Sequence, residues 1–237
     1  MSDVERPLSG GRTVAGVVRV GETVRRPMSV RSPFAHRVLL RLAEADVGGV
    51  PRFLGVDEYG REILSYQAGE TAHGRYEWTD EQLVAMVRLV RAIHDALAGT
   101  PEAGDAETVC HHDLAPWNTI LTAGHPTAVI DFDGAAPGPR ADDLAYLLWT
   151  FLDLGLSSTS AGEHARLLRL ACDAYAADDG PKLHAALLPA LRREQERILA
   201  FRAAQTDPFS AQKHKDVQTA LHWLDAHQRT LEAHLAA

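Results

Sequence analysis

The residues with the clearest chemical content are Asp113, Asn118 and Asp131. They lie in Cys110-His111-His112-Asp113-Leu114-Ala115-Pro116-Trp117-Asn118-Thr119-Ile120 and, a short way on, in Val129-Ile130-Asp131-Phe132-Asp133. Phosphoryl transfer asks little covalent chemistry of a protein. It needs a carboxylate beside the acceptor hydroxyl and hard oxygen ligands that hold magnesium between the nucleotide phosphates, because catalysis rests on positioning and charge neutralisation. Asp113 can be that carboxylate. Asn118, later on the same loop, and Asp131, at the end of a short apolar strand, can converge as oxygen ligands on one metal ion, with Asp133 adding a water-mediated contact. Taken singly, each is equally an ordinary loop or strand-end residue, where short polar side chains are common. The joint order and spacing point to chemistry.

H-x-D-x-x-x-x-N followed by an apolar strand and D-F-D resembles the catalytic core of the aminoglycoside phosphotransferase and choline kinase-like family, relatives of the protein kinases. The resemblance implies an α+β, two-lobed, protein-kinase-like fold with a small β-rich N-terminal lobe and a larger, mainly helical C-terminal lobe. It implies transfer of the γ-phosphate of ATP or GTP to a hydroxyl of a small molecule, with Mg2+ as cofactor. Under it Asp113 is the catalytic base, His111 supports its loop, and Asn118 and Asp131 bind magnesium. Asp143, in Asp142-Asp143-Leu144-Ala145, matches the D-L-A that follows this core and is expected to brace the catalytic loop. Ser9-Gly10-Gly11-Arg12 falls where a glycine turn would cover the phosphates, since glycine lets backbone approach closely. Ser65-Tyr66-Gln67 falls where the link between lobes would meet the nucleobase. Ser9, Gly10, Gly11, Ser65 and Gln67 are therefore candidate nucleotide contacts, although an ordinary hairpin turn and a plain strand exit account for these segments as well.

The elements that must position these groups are legible in outline. Thr13–Val20 is rich in β-branched residues, Gly21-Glu22 makes a turn, and Thr23–Arg26 resumes before Pro27, which predicts a hairpin. Leu39, Leu40 and Leu42 mark a helix between breaks, and Glu62–Gln67 a further strand, closing a first lobe at residues 1–68. Thr79 and Gln82 form a capping-box pattern ahead of the apolar stripe Leu83, Val87, Val90, Ile93 and Leu97. Two short apolar runs, Ile120-Leu121 and Ala128-Val129-Ile130, flank the chemistry. Helical patterns resume at about 141–154, 161–178, 181–203 and 210–235, giving a second, acceptor-binding lobe at 69–237.

One departure from the family pattern is conspicuous. A lysine on the third strand, paired with a glutamate on the next helix, normally binds the phosphates, yet the lysines here are only 182, 213 and 215. Alternation from Val24 makes Arg26 the expected replacement, a permanent cation whose planar fork suits phosphate; the alternative is a solvated strand arginine. Met28–Ala43 contains no acid, and the helix position falls near Ala35-His36, so no ion pair is expected there. That loss supports an alternative reading as a non-catalytic pseudokinase that binds a nucleotide, metabolite or protein.

Composition bounds the rest. With 237 residues, 46% hydrophobic and 24% charged, the chain can bury a sizeable core. A net charge of -8 argues against a dedicated nucleic-acid or anionic-membrane binder, and the charge is uneven, with ten arginines against eight acids in residues 1–68 and acids in excess beyond. An acidic second lobe suits an amino sugar, with choline-like, sugar or nucleoside acceptors also open. The start carries no basic region followed by an apolar run, and no apolar window reaches about 18 residues, predicting a cytoplasmic protein. Cys110 and Cys172 read as small buried residues. The histidines, His111-His112 with His94 and His125 above all, invite a metallohydrolase reading, but no zinc-binding spacing accompanies them. Trp117, Trp149 and Trp223 are expected to pack in the core or between lobes, and the Glu194-Glu196-Arg197 stretch to be a solvated face.

Overall fold

A computed structural model describes residues 4–8, 16–74, 77–176 and 180–236; Ser9, Gly10 and Gly11 lie outside them. Strands β1 (Arg6–Pro7), β2 (Val18–Val20) and β3 (Thr23–Pro27) precede helix α1 (Ser32–Glu44), and β4 (Phe53–Val56) and β5 (Arg61–Ser65) follow it. They form one antiparallel sheet in the order β1-β2-β3-β5-β4. The expected hairpin turns at Gly21, whose φ of 59° glycine adopts without penalty. The β3–β5 register sets Val24 opposite Leu64 and Arg26 opposite Glu62. Side chains two apart share a face, so an apolar pair and a charged pair look the same way. Below Val24 and Leu64 lies α1, whose Ala35, Val38, Leu39 and Leu42 are buried.

Gly69 lies between the two parts of the chain. Its φ is 137°, and a Cβ there would stand 2.3 Å from the Leu121 carbonyl oxygen, so only glycine fits. Strand β6 (Glu70–Thr71) then leads to helix α2 (Asp80–Leu97), opened by the expected reciprocal capping box of Thr79 and Gln82. Next come β7 (Thr108–Cys110), a 3₁₀ turn at Pro116–Asn118, β8 (Thr119–Thr122), β9 (His125–Val129) and β10 (Ala136–Gly138). They pair antiparallel as a β6-β8-β9 sheet and a β7-β10 ribbon. Helices α3 (Arg140–Phe151), α4 (Ala161–Ala176), α5 (Gly180–Ala203) and α6 (Pro208–Ala236) complete the chain close to the expected spans. Among the described residues, no helix is long and apolar enough to cross a membrane.

Helix α3 decides where the chemistry sits. Leu144, Leu147, Leu148 and Phe151 are fully buried, and Trp149 is buried too, so the helix is covered on most sides, as an all-round apolar helix must be. Each such leucine contributes about 2 kcal/mol of burial. The same helix carries Asp143 and Tyr146 into the interior, and their polar atoms face the β7–β8 loop.

Candidate active site

The loop after β7 is held from beneath by Asp143, itself buried. Its Oδ2 accepts from the backbone N–H of His111 at 2.6 Å and its Oδ1 from that of His112 at 2.7 Å. His94 of α2 adds a third bond through Nε2 at 2.9 Å and touches the Tyr175 hydroxyl through Nδ1 at 2.6 Å. These bonds help to hold His112 at a φ of 62°, a backbone strain of about 1–3 kcal/mol for a non-glycine residue. Burial pushes the Asp143 carboxyl up, but the hydrogen bond and field of His94, with His111 beside them, outweigh it and leave the group below the usual carboxylate range.

With the folded value depressed, the stabilisation is complete above the unfolded value of about 3.9 and is lost as pH falls through the folded one. Asp143→Asn should therefore lower stability by roughly 3 kcal/mol at neutral pH, because an amide cannot accept from both backbone groups. Urea unfolding from pH 7 down to pH 3 checks this: the gap between wild type and variant should narrow with acid, and a constant gap would contradict the brace.

The buried cluster also answers the metal reading of the histidines. His94, Cys110 and Asp143 bring ligand atoms within 4.8 Å of one another. Each is committed, however: the Cys110 thiol donates to the Pro139 carbonyl at 3.3 Å, and burial raises its pKa well above an ordinary thiol's. The cluster joins α2, β7 and α3, and His125 is exposed on β9.

Beyond the brace lies Asp113, half-buried. Tyr146 Oη donates to its Oδ1 at 3.0 Å, Asn118 Nδ2 donates to its Oδ2 at 2.7 Å, and Trp117 Nε1 reaches the same oxygen at 3.4 Å. Burial raises the Asp113 pKa; the neighbouring His111 imidazole and these hydrogen bonds oppose it without cancelling it. Burial and the Asp113 charge together raise Tyr146 well above a normal phenol, so it stays a donor. His111 accepts from the Asp113 N–H through Nδ1 at 3.2 Å, which assigns its proton to Nε2, 3.1 Å from the Ile130 carbonyl oxygen. Its ring meets Phe132 edge-on, tying the Asp113 loop to the segment that carries Asp131.

Asn118 spends its amide hydrogens on the Asp113 carbonyl and carboxylate, which leaves its Oδ1 as an acceptor. Asp131 sits in left-handed backbone (φ 69°, ψ 67°) just past β9. Arg26 reaches it from β3, with Nη1 at 2.8 Å from Asp131 Oδ1. The same guanidinium donates through Nη2 to Asp133 and through Nε to Glu62. Burial works against its charge, but Asp133, Asp131 and Glu62 prevail and raise its pKa further. Arg26 is thus buried and paired, on the face it shares with Val24 as alternation predicted, and the solvated alternative fails.

Other expectations need correction. An ion pair to the strand cation does form: its acid is Glu62 on β5, set opposite Arg26 by the strand register, and the helix contributes His36 where the family pattern has glutamate. Trp117 does not pack in the core but stands 38% exposed beside Asp113. Glu194 is buried and paired with Arg197 at 2.6 Å, so that stretch of α5 is only partly a solvated face. The side chains of Ser65 and Gln67 bond to each other, to the Arg52 N–H and to the Val50 carbonyl. Tyr146 went unrecognised, although it lies one helical turn beyond Asp143 on the same face.

A β-sheet that delivers a cation to a carboxylate pair, beside a loop presenting a carboxylate and an amide, defines a kinase-like phosphotransferase. The chain belongs to the phosphotransferase enzyme family, whose profile matches residues 21–179. It is 28% identical over 260 aligned positions, 96% of this chain and 97% of the relative, to the trifolitoxin immunity protein of Rhizobium leguminosarum bv. trifolii. Its fold is similar to that of the aminoglycoside phosphotransferase from Alicyclobacillus acidocaldarius subsp. acidocaldarius DSM 446, with TM-score 0.69 at 14% identity, covering 100% of this chain and 92% of that one. It is also similar to the GDP complex of wild-type aminoglycoside 2'-phosphotransferase-IIIa, with TM-score 0.59 at 13% identity over 97% of this chain and 94% of that one. The expected family and two-lobed fold hold, and with them the reading as a small-molecule phosphotransferase.

Proposed function

We propose that the protein transfers the γ-phosphate of ATP or GTP, as the magnesium complex, to a hydroxyl of a small molecule. The observation that supports this best is a pair of linked sets: Asn118 and Tyr146 donate to the Asp113 carboxylate, Arg26 donates to Asp131, and the Ile130 N–H bonds to the Asn118 carbonyl at 2.9 Å, tying the two segments together. Asn118 Oδ1 and the Asp131 carboxylate are hard oxygen donors, the kind magnesium takes, and three carboxylates share the single Arg26 guanidinium, so the cleft favours added positive charge. When bound, the metal neutralises charge on the transferring phosphates. Asp113 accepts the proton as the acceptor oxygen bonds to the γ-phosphorus and the bond from that phosphorus to the bridging oxygen breaks, leaving the nucleoside diphosphate. Arg26 holds the phosphates from above. In this reading residues 1–68, with the Ser9–Arg12 turn and the 65–67 backbone, bind nucleotide, and residues 69–237 carry catalysis and the acceptor site.

The acceptor is aminoglycoside-like or another amino- or hydroxyl-bearing metabolite, and the cytoplasm, where ATP and GTP are available, is the setting. One curated relative is named for immunity to a toxin, and phosphorylating a hydroxyl of a toxic compound is one way such an enzyme would give immunity. Calorimetric titration of ATP and of GTP with magnesium, wild type beside Asp131→Asn, tests the reading. Magnesium-dependent binding that weakens at least tenfold in the variant is expected, by analogy with loss of a metal's support. Absence of binding of either nucleotide to folded wild type would overturn it in favour of a non-catalytic binder.

A further inference from the structure

We propose that Glu62 and His36 are positioning residues for nucleotide binding: together they form a fixed anchor, strand to helix, that holds Arg26 where it meets the phosphates. This rests on the phosphotransfer reading of the cleft and assigns a role to two residues outside it. Glu62 uses both carboxylate oxygens. Oε1 receives Arg26 Nε, and Oε2 lies 2.6 Å from His36 Nε2. Both side chains are buried, and the His36 ring stacks on Phe53 of β4, centroids 3.8 Å apart and 15° from parallel. His36 thus has two separable contacts, a polar one to Glu62 and a flat apolar one to Phe53.

The anchor matters because of what else holds Arg26. Its Nη1 and Nη2 bond to Asp131 and Asp133, on the segment just past β9. With Glu62 unable to hold Nε, the guanidinium would be drawn wholly onto those two carboxylates, and incoming phosphates would have to pull it away. A buried carboxylate bridged between a guanidinium and an imidazole fixes both position and orientation, as outer-shell partners fix a metal ligand. Helix α1 therefore reaches Arg26 through its histidine and a strand acid, rather than through an acid of its own.

The test uses the two contacts of His36 separately, in the full-length protein, with nucleotide and magnesium titrated by calorimetry and stability read by thermal unfolding. His36→Gln keeps a hydrogen-bond donor for Glu62 and gives up the stack; His36→Phe keeps the stack and gives up the donor. The expected result is near wild-type nucleotide affinity for His36→Gln and a loss of roughly tenfold for His36→Phe, whichever variant is the more stable. In turnover the loss should fall on KM for nucleotide more than on kcat. Glu62→Gln, nearly isosteric, should weaken nucleotide by a similar factor and settles the matter if His36→Phe does not fold. Wild-type affinity in His36→Phe or Glu62→Gln, or a loss in His36→Gln alone, would overturn the anchor. Failure of wild type itself to bind nucleotide would instead overturn the phosphotransfer reading.

Discussion

Asp113→Asn should lower kcat by roughly 10²–10⁴-fold, the usual cost of removing a positioned general base, while leaving the affinity for magnesium nucleotide close to wild type. The split follows from what touches what. Asn118, Tyr146 and Trp117 all donate to the Asp113 carboxylate, and an amide oxygen can still receive some of these bonds, so the loop keeps its form. An amide cannot take the acceptor's proton. The pH dependence gives a second handle. Burial holds the Asp113 pKa above its ordinary range, and only the ionised carboxylate can serve as base. Activity should therefore decline on acidification at a pH above that of an ordinary aspartate, with the plateau on the alkaline side. Steady-state rates from pH 4 to 8 check this. A residual activity in Asp113→Asn with the same acid limb would place the titrating base elsewhere.

The candidate catalytic segment is legible because its signal is local. Asp113, Asn118, Asp131 and Asp143 lie within a short stretch whose order matches the family pattern, and the structure brings Asp143 beneath the backbone of His111 and His112. The long helices were legible too, since apolar stripes and the Thr79–Gln82 cap repeat over many turns. Strands of two to four residues, such as β4, β6, β7 and β10, carry too few positions for a period and were missed. The failure at Glu62 has a different cause. A cation on one strand finds its acid on the neighbouring strand only through the register, which sets Arg26 opposite Glu62. A lone acid within Arg61–Ser65 gives no hint of that distance partner. The following helix carries no acid from Met28 to Ala43, and His36 stands in its place.

Arg26→Ala should have the other large effect, with opposite signs for two ligands. Removing the guanidinium leaves Glu62, 1% exposed, as a buried carboxylate with only His36 beside it. Breaking a buried pair from one side costs about 3–5 kcal/mol. Asp131, with its side chain 40% exposed, is solvated enough to add little to that figure. Arg26→Lys keeps the charge, but an ammonium cannot fork to three carboxylates, so its stability should fall between the two. Magnesium nucleotide should bind far more weakly to Arg26→Ala, because the phosphates lose their cation. A divalent metal offered alone should bind more tightly, because Asp131 and Asp133 are then released from the guanidinium that now shares them. Arg25→Ala is the control: it removes the same charge one residue away, from an arginine paired with Asp57 at 4.0 Å. Titration of Mn2+ with and without nucleotide, on wild type and both alanine variants, measures both signs at once. If Arg26→Ala weakens metal and nucleotide alike, Arg26 does not compete with the metal for Asp131, and its contact there is structural.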